Sequence, residues 1–477
     1  MNHVFSFLEN AAAKWGSRTA IIERDKEISF SSLHASAKRL SELLLASVSP
    51  KGNGIAFACS NSSRFVSGLF AIIKAGGVAM PILAGMQRAE MERLLQESSI
   101  HILLAEKNCR FTFSMPSTKI NLDNDFDLFV FHEINPVDIN SIFPEAAFIR
   151  PSSGTTGNSK GVVISHLAAF ERTAAANAGL QLNEESKMLW VLPMAFHFVV
   201  SILLYVRYGV CMILSDHFAA EAIVEDANTN AATHLYASPF HFRLLAAAKA
   251  GLKFKTLKVA ISTSASLEPA VSSSFYEKYE ISASQAYGII EIGLPLINSE
   301  TGNKKNESIG KALKDYSVAI LDEDLKEVPP GAQGAFAIKG PGMFSGYLWP
   351  VKKNEDVLEN GWFLTGDIAV MDDDGFVFIK GRSKSMINVS GNKVFPEEVE
   401  AVLKMHNDVE DARVYGGKHP VTGELVEAEI MMKPSAEKNT DELISLCREH
   451  LLPYKVPQRI YFVDEIQKTK TGKISRA

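Results

Sequence analysis

The sequence predicts an α/β protein with a large N-terminal domain of layered sheets and helices plus a β subdomain, and a small mobile α+β C-terminal domain. Three observations predict it. Between residues 54 and 262, short apolar runs alternate with helix-forming segments, the pattern of parallel strands covered by helices. From about Gly310 the apolar runs are joined by Pro-Pro-Gly and Asp-Gly, the mark of antiparallel hairpins. After the polar stretch Gly381-Arg382-Ser383-Lys384-Ser385 the alternation restarts with helices and strands of its own. The expected boundaries are 1–381 and 382–477, joined at a hinge.

Gly54 to Cys59 reads as a buried strand, Asn61 or Ser62 as the cap of a helix running to about Lys74, and Gly76-Gly77 as its stop before a second strand, Val78 to Leu83. The alternation returns with VCMILS (strand), Phe218 to Asn228 (helix), THLYAS (strand), Pro239 to Ala250 (helix) and LKVAIS (strand). Parallel sheets of this kind hold ligands at the carboxyl ends of their strands. SVAILDEDLKEVPPGAQGAFAIKG and IAVMDDDGFVFIKG follow as hairpins. The last part supplies a helix from Pro396 to Met405, strands in ARVYG and VEAEIMMK, a helix from Asp441 to Leu451 and a strand in RIYFV. There is no internal repeat and no low-complexity tract.

With 477 residues, 49 Lys+Arg against 55 Asp+Glu and a net charge of −6, the chain has the balance of an ordinary globular protein. No basic block supplies the electrostatic footprint of a nucleic-acid binder. Cys59, Cys109, Cys211 and Cys447 form no CxxC pair, which argues against a disulfide framework or a zinc site and fits a reducing compartment. The first twenty residues lack the charged-then-apolar order of a signal peptide, so a cytoplasmic location is expected. The longest apolar stretch, Val199 to Leu214, is broken by Arg207 and falls short of the ~20 residues of a membrane span.

The most informative segment is Ser152-Ser153-Gly154-Thr155-Thr156-Gly157-Asn158-Ser159-Lys160-Gly161. Its glycines allow successive backbone N–H groups to point into one concavity, its hydroxyls add donors and Lys160 adds charge, a combination suited to a polyphosphate. It is not a Walker A loop, because Lys160 lies between Ser159 and Gly161. By itself it reads equally as a flexible surface loop.

SSGTTGNSKG resembles the phosphate loop of the adenylate-forming superfamily, which includes acyl-CoA synthetases, adenylation domains and firefly luciferase. Four further segments follow in that family's order. Gln285-Ala286-Tyr287-Gly288-Ile289-Ile290-Glu291 resembles its adenine and magnesium motif, and Gly361-Trp362-Phe363-Leu364-Thr365-Gly366-Asp367 its ribose motif. Gly381 through Gly391 to Glu400 resembles the hinge and thiol-tunnel segment, and Lys468-Thr469-Lys470-Thr471-Gly472-Lys473-Ile474 the catalytic-lysine motif.

The resemblance implies two-step activation of a carboxylic acid: the carboxylate attacks the α-phosphorus of ATP, pyrophosphate leaves, and a thiol captures the acyl-adenylate. It implies that Thr155, Thr156 and Lys160, with Ser153, Gly154 and Gly157, cradle the phosphates, and that Glu291 holds Mg²⁺. Tyr287 would stack on adenine, with Ala265, Ala286 and Gly288 beside the nucleotide; Asp367 and Arg382 would bond the ribose hydroxyls. Lys473 would reach the substrate carboxylate and α-phosphate, Gly391 would serve the thiol tunnel, and Lys384 would be the pivot between half-reactions. The bland readings are a solvated Glu291, a core aromatic at Tyr287, a turn residue at Asp367 and tail or linker lysines at Lys473 and Lys384.

The sequence also departs from the family. Ile290 stands where a threonine usually contacts the α-phosphate. Ser262-Thr263-Ser264-Ala265-Ser266-Leu267 replaces the usual Ser-Gly-Gly-Ala-Pro-Leu, so Thr263 and Ser264 should narrow or polarise the acid pocket and favour a compact aryl or short- to medium-chain acid. His197, in Pro193-Met194-Ala195-Phe196-His197, lines or gates that pocket, or is a satisfied core histidine. No aspartate near residue 197 matches the amino-group anchor of amino-acid adenylation. The expected function is an acid–coenzyme A ligase; the alternatives are a ligase that loads the phosphopantetheine of an acyl carrier protein, and a non-catalytic nucleotide-binding homologue.

Overall fold

The computed structural model describes residues 3–152, 160–300, 304–389, 392–419, 423–468 and 474. They fall into two compact units, one of residues 3–152, 160–317 and 339–361, the other of residues 318–338 and 362 onward.

The first unit holds two nine-stranded sheets. In one, Lys187–Trp190 lies between Cys211–Leu214 and His234–Ala237, all parallel, and Val259–Ser262 and Ala283–Ile289 extend the parallel set. Gly293–Ile297 then turns back antiparallel. In the other sheet, Gly54–Ala58 runs parallel to Val78–Ile82 and Ile102–Glu106, and these three strands are buried at every position. Burial on both faces explains why they read as continuous apolar runs rather than alternating ones. The same sheet carries the antiparallel pair Ala146–Ser152 and Lys160–Ser165.

The helix Ser63–Lys74 begins where Ser62 Oγ accepts the Phe65 N–H at 3.3 Å, and residues Phe65 to Ile73 are all buried. A helix apolar on every side must be enclosed. The apolar stretch 199–214 is divided among a wide helical turn, the helix Leu203–Tyr208, Gly209 and the strand Cys211–Leu214. Among the described residues no helix is long and apolar enough to cross a membrane.

Helix ends differ from the sequence reading by up to three residues; the helix expected to reach Met405, for one, ends at Leu403. The helix expected from Phe218 starts at Ala220, with Phe218 itself exposed. The helix expected to reach Ala250 stops at Ala247, where Lys278 Nζ donates to the carbonyls of Ala246 and Ala248 and so takes over acceptors the next turn would need.

In the second unit, Phe363–Met371 pairs antiparallel with Val377–Arg382. A further sheet follows, in which Gly423–Met432 runs antiparallel to Val409–His419 and parallel to Arg459–Val463. The helices Pro396–Leu403 and Thr440–His450 pack on it around Val399, Leu403, Val414, Val426, Ile430, Leu443 and Cys447. All four cysteines are free thiols.

Candidate active site

In the first unit, the strand leaving at Ser152 and the strand returning at Lys160 are register partners, so the two ends of the hydroxyl-rich segment are held side by side. Ser153, Gly154, Thr155, Thr156 and Gly157 lie outside the described residues, as do Gly391 and Lys473. Gly161 answers a packing demand: a Cβ there would sit 2.0 Å from the Trp349 ring.

Lys160 and Glu291 meet on opposite parts of one side chain. Lys160 Nζ stands 4.3 Å from the centre of the Tyr347 ring, and the Tyr347 hydroxyl donates to Glu291 Oε1 at 3.0 Å. Tyr347 is brought there by Gly346–Tyr347 pairing with the strand that begins at Lys160. Burial, and then the Glu291 carboxylate, push the Tyr347 phenol far above its ordinary range, so it stays a donor.

Glu291 lies in the turn between Ala283–Ile289 and Gly293–Ile297. Arg172, 1% exposed, fixes that turn: Nη1 donates to the Ile290 carbonyl at 2.7 Å, Nη2 to the Glu291 carbonyl at 2.8 Å, and Nε to the carbonyl of Gly342. Only glycine suits position 342, where φ is +69° and a Cβ would lie 2.4 Å from Arg172 Cγ. Burial lowers the Arg172 guanidinium to about 10, which leaves it charged at neutral pH. Each buried acceptor stripped of its donor costs about 1–3 kcal/mol, so Arg172→Met should lower stability by on the order of 3 kcal/mol. Denaturant unfolding checks this; an unchanged midpoint would sink the clamp.

Upstream of that turn, Ala286 is buried, Tyr287 partly buried and Gly288 exposed. Gln285 is structural: its Oε1 accepts the Leu267 N–H at 2.9 Å and its Nε2 donates to the Asn306 carbonyl at 2.6 Å, tying the 262–267 segment to the strand. In that segment Thr263 is buried, its N–H donates to the Ala237 carbonyl at 3.0 Å, and the neighbouring Tyr236 stacks on Trp190 at 5.6 Å. Ser264 has φ +77°, a left-handed conformation that costs a residue other than glycine roughly 1–2 kcal/mol. Its Oγ lies 3.4 Å from His197 Nε2, and Ala265 is exposed. The structure therefore brings His197, Thr263 and Ser264 together.

Three residues to which the sequence assigns no part in the site help build it. Tyr347 and Arg172 are described above, and Asn61 joins them by donating to the Leu192 carbonyl and accepting the Met194 N–H, both at 2.8 Å, which pins the segment ahead of His197. An asparagine just after an apolar strand and an arginine in an alanine-rich helix were the available signals. Tyr347 gave none.

In the second unit, Asp367 and Arg382 are register partners, with Arg382 Nε 2.8 Å from Asp367 Oδ1. Arg382 Nη1 also donates to the Thr365 carbonyl at 2.9 Å, and Thr365 Oγ1 accepts the Asp367 N–H at 3.1 Å. Asp367 is 4% exposed, so its carboxylate is held in one geometry. Lys384 is exposed in the short turn Ser383–Ser385. Lys468 Nζ lies 2.6 Å from Asp411 Oδ2, and Lys468 and Ile474 are bridge partners, so these two residues are tied into this unit. Glu398 accepts from Lys455 Nζ at 2.7 Å and Glu400 from the Val414 N–H at 2.8 Å; these motif carboxylates serve the fold.

The AMP-binding enzyme family model matches residues 8–348, and the model of the AMP-binding enzyme C-terminal domain matches residues 398–473. Among curated proteins, the chain is 28% identical over 498 residues to an oxalate–CoA ligase of Arabidopsis thaliana, covering 98% of this chain and 96% of that protein. It is 28% identical over 483 residues to a 2-succinylbenzoate–CoA ligase of Bacillus licheniformis, covering 99% and 98%. Among solved structures, the o-succinylbenzoate coenzyme A synthetase of Bacillus subtilis in complex with AMP shares the fold with a TM-score of 0.85 at 23% identity, covering 98% of this chain and 97% of that one. ATP-bound MatB from Rhodopseudomonas palustris does so with a TM-score of 0.85 at 22% identity, covering 100% and 97%. With its family models spanning most of the chain and the Lys160–Tyr347–Glu291 arrangement at the expected motifs, the chain belongs to the AMP-binding enzymes and is an AMP-forming ligase of the acyl-CoA synthetase type.

Proposed function

We propose that the chain activates a compact carboxylic acid with ATP and transfers the acyl group to the thiol of coenzyme A. The acid's carboxylate attacks the α-phosphorus and pyrophosphate leaves; the thiolate then attacks the acyl carbon and AMP leaves. The observation that carries this reading is the shared Tyr347, which faces Lys160, the lysine of the phosphate-loop motif, on its ring and the Glu291 carboxylate at its hydroxyl. In this reading Asp367 and Arg382 hold the ribose, and the chain works in the cytoplasm.

Glu291 is the residue that would hold Mg²⁺. One carboxylate, with Oε1 already fixed by a hydroxyl, suits a hard cation that keeps phosphate oxygens and waters as its other ligands. When bound, the ion neutralises charge on the reacting phosphates.

Two half-reactions with different leaving groups share one nucleotide, so the part of the chain from 382 onward must present Lys473 in the first and Gly391 in the second. The exposed Lys384 is the pivot of that exchange. Lys384→Pro removes a torsion and should spare pyrophosphate exchange while abolishing thioester formation; equal losses in both would overturn the pivot. Delivery to a carrier-protein phosphopantetheine is the second reading, since both acceptors end in the same thiol; saturable activity with free coenzyme A separates them. Acid-dependent exchange of labelled pyrophosphate into ATP, screened over aryl, short-chain and medium-chain acids, tests the proposal as a whole. ATP binding without exchange for any acid would leave a nucleotide-binding homologue.

A further inference from the structure

Arg150 takes no part in anything described so far. It stands in the strand Ala146–Ser152, after four buried apolar residues, Ala146 to Ile149. A guanidinium carries five N–H donors. Nε and Nη2 both donate to the Phe196 carbonyl, at 3.1 and 2.9 Å, and Nη1 donates to the Pro151 carbonyl at 3.0 Å. The Phe196 ring lies 4.8 Å from Cζ. Two N–H groups, one on each terminal nitrogen, thus have no acceptor among the described residues.

Carbonyls satisfy donors without cancelling charge, and no carboxylate of the described residues lies within ion-pair distance of Arg150. Desolvation lowers the guanidinium to about 10, against the opposing pull of the Glu291 carboxylate; it is a cation at neutral pH. Arg150 is partly buried and retains accessible surface, through which its two remaining N–H groups can be reached. The carbonyl that grips it belongs to the residue before His197, whose imidazole faces Ser264. The cation and the His197–Ser264 pair therefore flank one short segment on the acid side of the site.

A partly buried cation with no carboxylate paired to it and forked donors to spare suits an anion, and the planar fork matches a carboxylate bidentately. We propose that Arg150 binds a second carboxylate on the acid, remote from the reacting one, so that the substrate class is a compact dicarboxylic acid. This rests on the ligase reading above. The same fork would also take the α-phosphate, which Ile290 leaves without a hydroxyl donor, and the test separates the two anions.

Pyrophosphate exchange would be measured for the wild type, Arg150→Met and Arg150→Lys with short dicarboxylic acids and their monomethyl esters, which keep the shape and lose the second charge. The wild type should prefer the diacid by on the order of 10²-fold in kcat/KM, the upper end of the penalty for leaving a donor group unsatisfied. Arg150→Met should collapse that ratio towards one through KM for the diacid, and Arg150→Lys should restore part of it. A wild type that turns over monoesters or simple monocarboxylic acids as well as diacids overturns the inference while the ligase reading stands, and needs no folded variant. A loss in Arg150→Met that is equal for diacid and ester, or that lies in KM for ATP, overturns it in favour of the α-phosphate. Unchanged diacid preference with a lowered unfolding temperature reduces Arg150 to a clamp on Phe196. Exchange with no acid at all removes the ligase reading itself.

Discussion

Lys473→Ala should slow acyl-adenylate formation by on the order of 10²–10³-fold, the magnitude of removing one oxyanion-type donor, while thioester formation from supplied acyl-adenylate survives. The asymmetry is the point. In the first half-reaction a carboxylate approaches an already anionic phosphate, and a cation aimed at both is worth most at that moment. In the second, the mixed anhydride exists and the nucleophile is a thiolate, so the same cation has little to stabilise. Lys468 is paired with Asp411 and bridged to Ile474. Equal losses in the two half-reactions, measured by pyrophosphate exchange and by release of AMP from supplied adenylate, would remove Lys473 from the chemistry.

Glu291→Gln should reduce adenylation by a comparable on the order of 10²–10³-fold, several kcal/mol of transition-state charge stabilisation, at every Mg²⁺ concentration. The substitution is close to isosteric, and the amide oxygen can still accept from the Tyr347 hydroxyl. The turn itself hangs on Arg172 through the Ile290 and Glu291 carbonyls, which the change leaves in place. Unfolding temperature should therefore move little while Mg²⁺-dependent ATP binding weakens. Exchange kinetics over a Mg²⁺ series, with calorimetric ATP binding beside them, check both; near-normal exchange would show that the carboxylate is structural.

Much of the architecture was legible because its causes are local. Apolar runs such as Gly54–Ala58 declared doubly buried strands, Ser62 declared a helix start, and Asp-Gly and Pro-Pro-Gly declared hairpins. Helix ends were less legible, because the stop at Ala247 depends on Lys278, which comes from the following helix. The pairing of Asp367 with Arg382 could be anticipated only as two residues of neighbouring motifs; that they are register partners is a property of the hairpin.

By itself the sequence determined the fold class, the order of the motifs and the residue types each carries: hydroxyls and a lysine in the first, a carboxylate after the Tyr-Gly turn, lysines in the last. Tertiary structure alone decided what stands between them. Tyr347 joins Lys160 to Glu291, Arg172 holds the Glu291 turn by its carbonyls, and Arg150 grips the Phe196 carbonyl with two N–H groups left without an acceptor among the described residues. The physical reason is that periodicity and turn chemistry act over a few residues, whereas desolvation, charge pairing and the satisfaction of buried donors depend on which distant segments the sheets bring together.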